Sequence, residues 1–491
     1  MKFSTNIYNS TKRKYWLKNF SSRTSHPSNP CPKFYIWAMP TKKPKVFVVH
    51  LGCAKNQVDA ENLVGEMLHA GFVTCDSAAK ADYILVNTCG FIEAAKEESI
   101  NAILAQAKTK KTKQKLIVSG CLSGRYGEEL MKELPEVDYW VGTYKPGELL
   151  KKMGIVAPQS CDAENLPRMN LGGFPHHAYL KIAEGCNRRC AYCAIPLIRG
   201  KQDSRSIEDI VAEAKDLEAQ GVKEITLIAQ DTTYFGREKG KKGGTLTQLL
   251  RALLDNTSIP WIRMLYWYPM FVDDELLDLM ANEPRLVKYV DMPIQHASDK
   301  MLKLMKRNYR KKELVDLLHK IRERIPGVTL RSTVLVGFPG ETHEDFEELM
   351  ELLQDVQFDH LGGFVFSPEE GTPVMEMDLP AVDESDARAR LEAVTDFQEE
   401  LAAEYAENMI GKTVRIIIDQ VAEESEYHFY GRTEGNSMEN DDIVKVIEGD
   451  GDVGEFHNAL VVDAEPHELV VKLIDERYFR LWASPKCSAQ L

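Results

Sequence analysis

From residue 45 onward, short apolar runs alternate with stretches patterned for helices. Residues 46–50, 83–87 and 116–119 are rich in Val, Ile and Leu, too short for helices, and apolar on both faces, as buried strands of a parallel sheet are. After the first run, Val58, Leu63, Val64, Met67 and Leu68 recur at helical spacing, with Asn56 as the expected N-cap and Gly71 as the stop. Further helices are expected over 94–107 and 127–134. This βαβαβ order predicts a small parallel-sheet α/β domain over 39–152. Residues 153–175 contain Pro158, Pro167, Gly172 and Gly173, show little periodicity, and read as a linker.

A longer strand–helix series follows over 176–410. Strands are expected at 179–183, 224–229, 261–265, 289–291, 329–336 and 362–366, with helical patterns between them. Six such units predict an open, partial (β/α)6 barrel whose active site lies at the carboxyl ends of its strands. A charged, alanine-rich helix over 384–408 leads onward. Over 411–483 the texture changes to short β-rich runs at 414–418, 443–446, 460–462 and 469–473, separated by Gly, Asn and Asp. That pattern predicts a small antiparallel β-barrel. The chain as a whole is therefore of α/β class with a β-barrel appended.

Its 491 residues suffice for about three domains, with 44% hydrophobic and 28% charged residues as in a soluble enzyme. No apolar run approaches the ~18 residues of a membrane span. A net charge of −14 argues against direct nucleic-acid binding over the whole molecule. Residues 1–38 hold seven Lys/Arg and no Asp or Glu, the composition of a targeting segment. An over-called start with Met39 as the true first residue explains the same stretch more simply, and either way it stands outside the fold. Ten cysteines without a secretory signal point to a reducing cytoplasm, where clustered thiols bind metal or do redox chemistry.

Cys186, Cys190 and Cys193 stand at C-x3-C-x2-C spacing just after an expected strand. Three thiolates on one loop hold three irons of a cubane and leave the fourth open to a small molecule. A structural zinc site is the competing reading, but it wants four ligands, and no fourth Cys or His lies nearby in sequence. A second set is dispersed: Cys53, Cys89 and Cys121 each adjoin a glycine and each follow a strand of the expected N-terminal sheet. Loops at the carboxyl ends of such strands converge on one crevice. By position alone, a second open cluster and three unrelated buried cysteines remain equally good readings.

The loop Glu184-Gly185-Cys186-Asn187-Arg188-Arg189-Cys190-Ala191-Tyr192-Cys193 resembles the signature of the radical S-adenosylmethionine superfamily. That resemblance implies a 4Fe-4S cluster chelating S-adenosylmethionine, whose reductive cleavage yields a 5′-deoxyadenosyl radical. It also implies cofactor contacts from Tyr192, Gln230 and Arg331, with residues 229–231 and 331–341 facing the cofactor. With three dispersed cysteines in front and a β-barrel of TRAM type behind, the stretch 45–482 is similar to the radical methylthiotransferases. Within them it is nearest those that modify an aspartate β-carbon of small-subunit ribosomal protein S-twelve. Leu51–Asn56, Asn87–Lys96, Pro293–Ser298 and Ser367–Pro373 carry that likeness. The family often has Pro-Gly after Met305-Lys306-Arg307, where this chain has Asn308-Tyr309, a departure expected to matter little.

The resemblance implies that Cys53, Cys89 and Cys121 hold a second 4Fe-4S cluster that presents sulfur for transfer. It also implies a low-potential donor such as a flavodoxin or ferredoxin. The sibling activity on an adenosine of transfer RNA is the alternative, and a non-catalytic iron–sulfur scaffold or redox sensor is a third reading. Residues 411–480 hold seventeen Asp/Glu against seven Lys/Arg, which favours a basic ribosomal protein over RNA. Cys75, Cys161 and Cys487 lack partners at ligand spacing, His50 and His296 read as structural, and Tyr266-Trp267-Tyr268 reads equally as cavity lining or core.

Overall fold

The computed structural model describes residues 43–155, Arg168, 173–438 and 441–474. The extension 1–38, most of the 153–175 linker, residues 475–483, and Cys31, Cys161 and Cys487 lie outside the described residues. The chain divides into two units, Met1–Gly173 and Phe174–Leu491.

The first unit is a five-stranded parallel sheet in the order β2-β1-β3-β4-β5, formed by β1 (Lys45–His50), β2 (Val73–Thr74), β3 (Tyr83–Thr88), β4 (Lys115–Gly120) and β5 (Tyr139–Trp140). Its main helices are α1 (Ala54–His69), α2 (Glu93–Thr109) and α3 (Cys121–Glu133). Successive strand residues serve opposite faces. Leu85 and Ile117 pack with Leu63, Val64 and Met67 of α1, whereas Ile84, Val86, Leu116 and Val118 pack with Ile103 of α2 and Leu122 of α3.

Two expectations need correction. Asn56 does not cap α1; Cys53 does, and Asn56 lies inside the helix with its amide donating to Leu51 O at 2.7 Å and Thr88 O at 3.1 Å. Likewise α3 begins at Cys121 rather than at residue 127, because the turn at Gly120 (φ 99°) feeds straight into it. In the stretch expected to be a linker, Arg168 is buried with its Nε 2.8 Å from the buried Glu61 Oε2.

In the second unit, β6 (His177–Lys181), β9 (Glu224–Ile228) and β10 (Trp261–Met264) form one parallel sheet. β11 (Tyr289–Asp291), β12 (Thr329–Val336) and β13 (His360–Val365) form another. A parallel bridge between Ile262 and Leu286 joins them into one six-stranded curve, the partial barrel expected. Leu180, Leu227, Met264, Val290, Leu330 and Val334 face the helices in one core. The alternate positions face inward, among them Tyr179, Glu224, Arg263, Tyr289, Asp291 and Arg331. A short antiparallel pair, β7 (Ala183–Glu184) with β8 (Asp203–Ser204), clamps the base of the loop that carries the Cys186 triad.

α4 (Glu384–Met409) then places Val394 in the central core and Met409 against the C-terminal one. The C-terminal barrel is closed in the order β14-β15-β16-β18-β17, from β14 (Thr413–Val421), β15 (Phe429–Thr433), β16 (Ile443–Glu448), β17 (Phe456–Glu465) and β18 (Glu468–Leu473). It is not wholly antiparallel. The β17–β18 hairpin closes the barrel on β16, so β16 and β18 run in the same direction.

The turn after β15 enters the foot of the partial barrel. Arg263 Nη1 donates to Glu434 O at 2.9 Å, Tyr179 Oη to Met438 O at 3.4 Å, and Tyr289 Oη to Asp441 Oδ2 at 2.5 Å, while His360 Nε2 lies 2.9 Å from Gly435 O. Ser437 and Met438 are fully enclosed there.

Candidate metal centres

Cys186, Cys190 and Cys193 share one loop closed at both ends. Gly185 (φ 73°) must be glycine, since a Cβ there would stand 2.2 Å from Lys201 O, and Cys186 N donates to Gly200 O at 3.1 Å. The middle of the loop is pinned at Ala191, whose N donates to Met305 O and whose O accepts from Val374 N, each at 2.9 Å. Ala191 is buried against Met301, Met305, Phe338 and Val374. Of the six residues between Glu184 and Ala191, Arg188 is the anchor: Nε is 2.7 Å from Asp231 Oδ2, and its guanidinium faces Tyr268 at 4.2 Å and Phe271 at 4.6 Å.

Arg188 N also donates to Cys186 Sγ at 3.4 Å. Burial pushes the Cys186 thiol up to about 11 despite that bond. Burial, then the charge of Cys190, pushes Cys193 up to about 12. Neighbouring thiols that resist ionisation together are a donor set that a cation would complete. Burial alone would raise Glu184, but Lys181 and Arg199 outweigh it and hold the carboxylate at about 2.

Around this loop the expected contacts separate. Tyr192 lies within it, its hydroxyl receiving Arg307 Nη1 at 3.4 Å. Gln230 follows β9, and both atoms of its amide are buried with no hydrogen-bond partner, an orphan aimed into the interior. Arg331 is engaged elsewhere: Nη1 donates to Asp291 at 2.9 Å and Nε to Asp441 at 3.2 Å, tying β12 to the turn at the barrel's foot. The turn 337–341 closes on its own Glu341, which accepts from Gly337 N and from Phe338 N, the latter at 3.1 Å. Arg331 thus ties β12 to the turn at the barrel's foot, and Glu341 closes the 337–341 turn.

The second triad converges as the sheet order requires, because β1, β3 and β4 are neighbours. Cys53 caps α1, Cys89 follows β3, and Cys121 opens α3. The loops touch through glycines: a Cβ on Gly52 would meet Cys89 Cβ at 2.9 Å, and one on Gly90 would meet Leu122 Cα at 2.7 Å. Burial raises the Cys89 thiol, the Phe91 and Gly90 N–H groups pull it down, and nearby Cys53 pushes it up. Ser99 Oγ braces the loop by bonding both Cys89 N and Cys89 O, at 2.9 and 2.8 Å.

Among the described residues, no three His, Cys, Asp or Glu side chains are disposed to hold a single metal ion. A cubane spreads its thiolates wider than one ion does, and both triads are all-sulfur sets with backbone N–H groups directed at sulfur, which fits an iron–sulfur cluster. Cys75 stands apart, half-buried and bonded to Ser77 O at 3.5 Å. His50 pairs with Asn87, and buried His296 accepts from Ala297 N and Ser298 N, both structural roles. Trp267 is core, whereas Tyr268 faces Arg188 of the Cys186–Cys193 loop. At the departure Asn308-Tyr309, Asn308 N donates to Tyr268 Oη at 3.2 Å and Tyr309 Oη accepts from Arg307 Nε at 2.8 Å. Arg307, which the sequence did not single out, reaches Cys190.

The chain matches the radical SAM superfamily over residues 180–353, the uncharacterized protein family UPF0004 over 45–142 and the TRAM domain over 410–474. It is 42% identical over 437 residues to the ribosomal protein uS12 methylthiotransferase RimO of Anaeromyxobacter sp. (strain Fw109-5), covering 87% of this chain and 92% of that one. It is 40% identical over 441 residues to the protein of the same name from Bacteroides thetaiotaomicron, covering 89% and 99%. Among solved structures, the apo, selenomethionine-labelled cobalamin-dependent S-adenosylmethionine radical enzyme OxsB aligns at a TM-score of 0.51, covering 74% of this chain and 68% of that one. At 10% identity that likeness is one of fold. Among the described residues, no helix is long and apolar enough to cross a membrane.

Proposed function

The chain belongs to the ribosomal protein uS12 methylthiotransferase family, and from that premise we propose that it replaces a hydrogen on an aspartate β-carbon of uS12 with a methylthio group. The observation that carries the reading is the pair of all-cysteine triads, each at the carboxyl ends of parallel strands and each one ligand short of closing a four-iron cluster.

Cys186, Cys190 and Cys193 would hold one 4Fe-4S cluster, and Cys53, Cys89 and Cys121 the other. When bound, these clusters and S-adenosylmethionine supply reductive sulfonium cleavage at the first site and a transferable sulfur at the second. The protein's own part is to position and to shield. Gly185, Ala191 and Arg188 fix the first cysteine loop. The unpartnered Gln230 amide is available to the polar groups of S-adenosylmethionine, and Tyr192 of the cysteine loop is the other contact expected. The turn lodged at the barrel's foot supports access from the strands' carboxyl ends alone, which keeps bulk water from a reactive carbon centre.

A low-potential flavodoxin or ferredoxin is the fitting electron donor, and the cytoplasm the fitting compartment for a ribosomal substrate. The acidic C-terminal module suits a basic protein partner rather than transfer RNA. The test is to supply anaerobically reconstituted protein with S-adenosylmethionine and reductant, offering uS12 and transfer RNA separately. Mass spectrometry is expected to find the methylthio group on a uS12 aspartate; modification of transfer RNA alone, or of neither, contradicts the reading.

A further inference from the structure

Arg307 approaches the radical-site loop from a segment remote in sequence. Its Nη1 lies 3.8 Å from Cys190 Sγ and 3.4 Å from Tyr192 Oη. Nε donates to Tyr309 Oη at 2.8 Å, and Nη2 donates to Pro293 O at 2.6 Å. The guanidinium faces the rings of Tyr268 at 4.6 Å and Tyr309 at 5.1 Å. Those rings are themselves fixed, since Tyr309 Oη donates to Ile294 O at 2.9 Å and Tyr268 Oη accepts from Asn308 N at 3.2 Å. A proline at 308 would have no N–H for that bond, and a glycine at 309 would have no hydroxyl for Arg307.

Arg307 is buried, and among the described residues no Asp or Glu pairs with it. A guanidinium stays charged at any working pH, and an enclosed cation without a counter-anion is costly. The groups it does face are phenols, a carbonyl and a cysteine sulfur. The anion that completes this environment is the thiolate set of the first cluster.

We propose that Arg307 is a positioning residue for that cluster, raising its reduction potential by placing a fixed positive charge and an N–H donor at Cys190 Sγ. This rests on the reading that Cys186, Cys190 and Cys193 hold a 4Fe-4S cluster. One-electron reduction adds a negative charge to the iron–sulfur core and its thiolates while the ligands stay in place. A buried cation within hydrogen-bond reach of a ligand sulfur favours that more negative state. Tyr309 serves by holding the guanidinium plane against the sulfur.

The test is an EPR-monitored redox titration of the full chain carrying C53A, C89A and C121A, so that a single cluster titrates. Against this parent, Arg307→Met is expected to lower the reduction equilibrium about tenfold, which is about 59 mV for one electron. Arg307→Lys should recover part of the loss, and Tyr309→Phe should give a smaller shift in the same direction. An R307M protein that holds four irons and titrates at the parent potential overturns the proposal. If R307M assembles no cluster, Tyr309→Phe decides: a lowered potential supports the role and an unchanged one overturns it. A parent that holds no cluster overturns the ligand reading itself, and the proposal falls with it.

Discussion

Arg432 of the C-terminal barrel donates to Glu224, the first residue of β9, across 2.7 Å with both side chains buried. Glu224 also receives Arg263 Nε at 2.8 Å; Arg432 also grips Asp419 at 2.7 Å, and His176 Nε2 lies 2.8 Å from that same carboxylate. Charge from the partial barrel and charge from the β-barrel thus compensate each other in one enclosed network.

Such a network makes a poor net contribution when whole but is costly to break. Glu224→Gln leaves Arg263 and Arg432 facing a neutral amide, and we expect a loss of about 3–5 kcal/mol in urea unfolding. A loss below about 1 kcal/mol would mean that water reaches the seam.

Acid should loosen the same region through His177. Burial pushes its imidazole down to about 3, against the pull of Glu224. Unfolded histidine titrates near 6.5, so between about 6.5 and about 3 the unfolded chain binds a proton that the folded chain refuses. Stability therefore falls as pH drops through that window, by up to ~1.4 kcal/mol per pH unit. Asp419 is also depressed, its burial outweighed by Arg432, and unfolded carboxylates join in only below about pH 4. In His177→Gln, unfolding measured at about pH 5–6 should lose about one proton of that dependence.

Gln230→Leu separates ligand binding from folding. The amide bonds to nothing in the protein, so thermal stability should hold or rise slightly. Binding of S-adenosylmethionine, measured calorimetrically on the reconstituted protein, should weaken by about tenfold, the worth of about one hydrogen bond. Unchanged binding would remove Gln230 from the cofactor site.

Gly120→Ala addresses the second triad alone. The residue sits at φ 99°, and a Cβ would lie 2.3 Å from Thr88 O, so the turn that delivers Cys121 must shift. Iron per chain should fall by about half while cleavage of S-adenosylmethionine persists.

Much of this arrangement was legible because local chemistry and tertiary need coincide. Apolar runs too short for helices became β1, β3 and β4, and their order alone brought Cys53, Cys89 and Cys121 to one edge. The failures have the opposite character. Asn56 carries a capping side chain, yet its amide ties the ends of β1 and β3 together from inside α1, a use that no local rule reveals. β15 escaped notice because Gly431 interrupts it, and the glycine is there since a Cβ would stand 2.4 Å from Ile417 O of β14. Arg307 carried no assigned role in the sequence, because Cys190 and Tyr192 lie 117 and 115 residues before it. Arg331 of the partial barrel pairs with Asp441 from the turn between β15 and β16, a link between two barrels that its strand position does not reveal.

The division of labour between the triads is tested most directly by a single assay of the full chain carrying C53A, C89A and C121A, with S-adenosylmethionine, reductant and uS12. The account predicts 5′-deoxyadenosine in the reaction and no methylthio group on the aspartate. Methylthiolation of uS12 at the unsubstituted rate would contradict it.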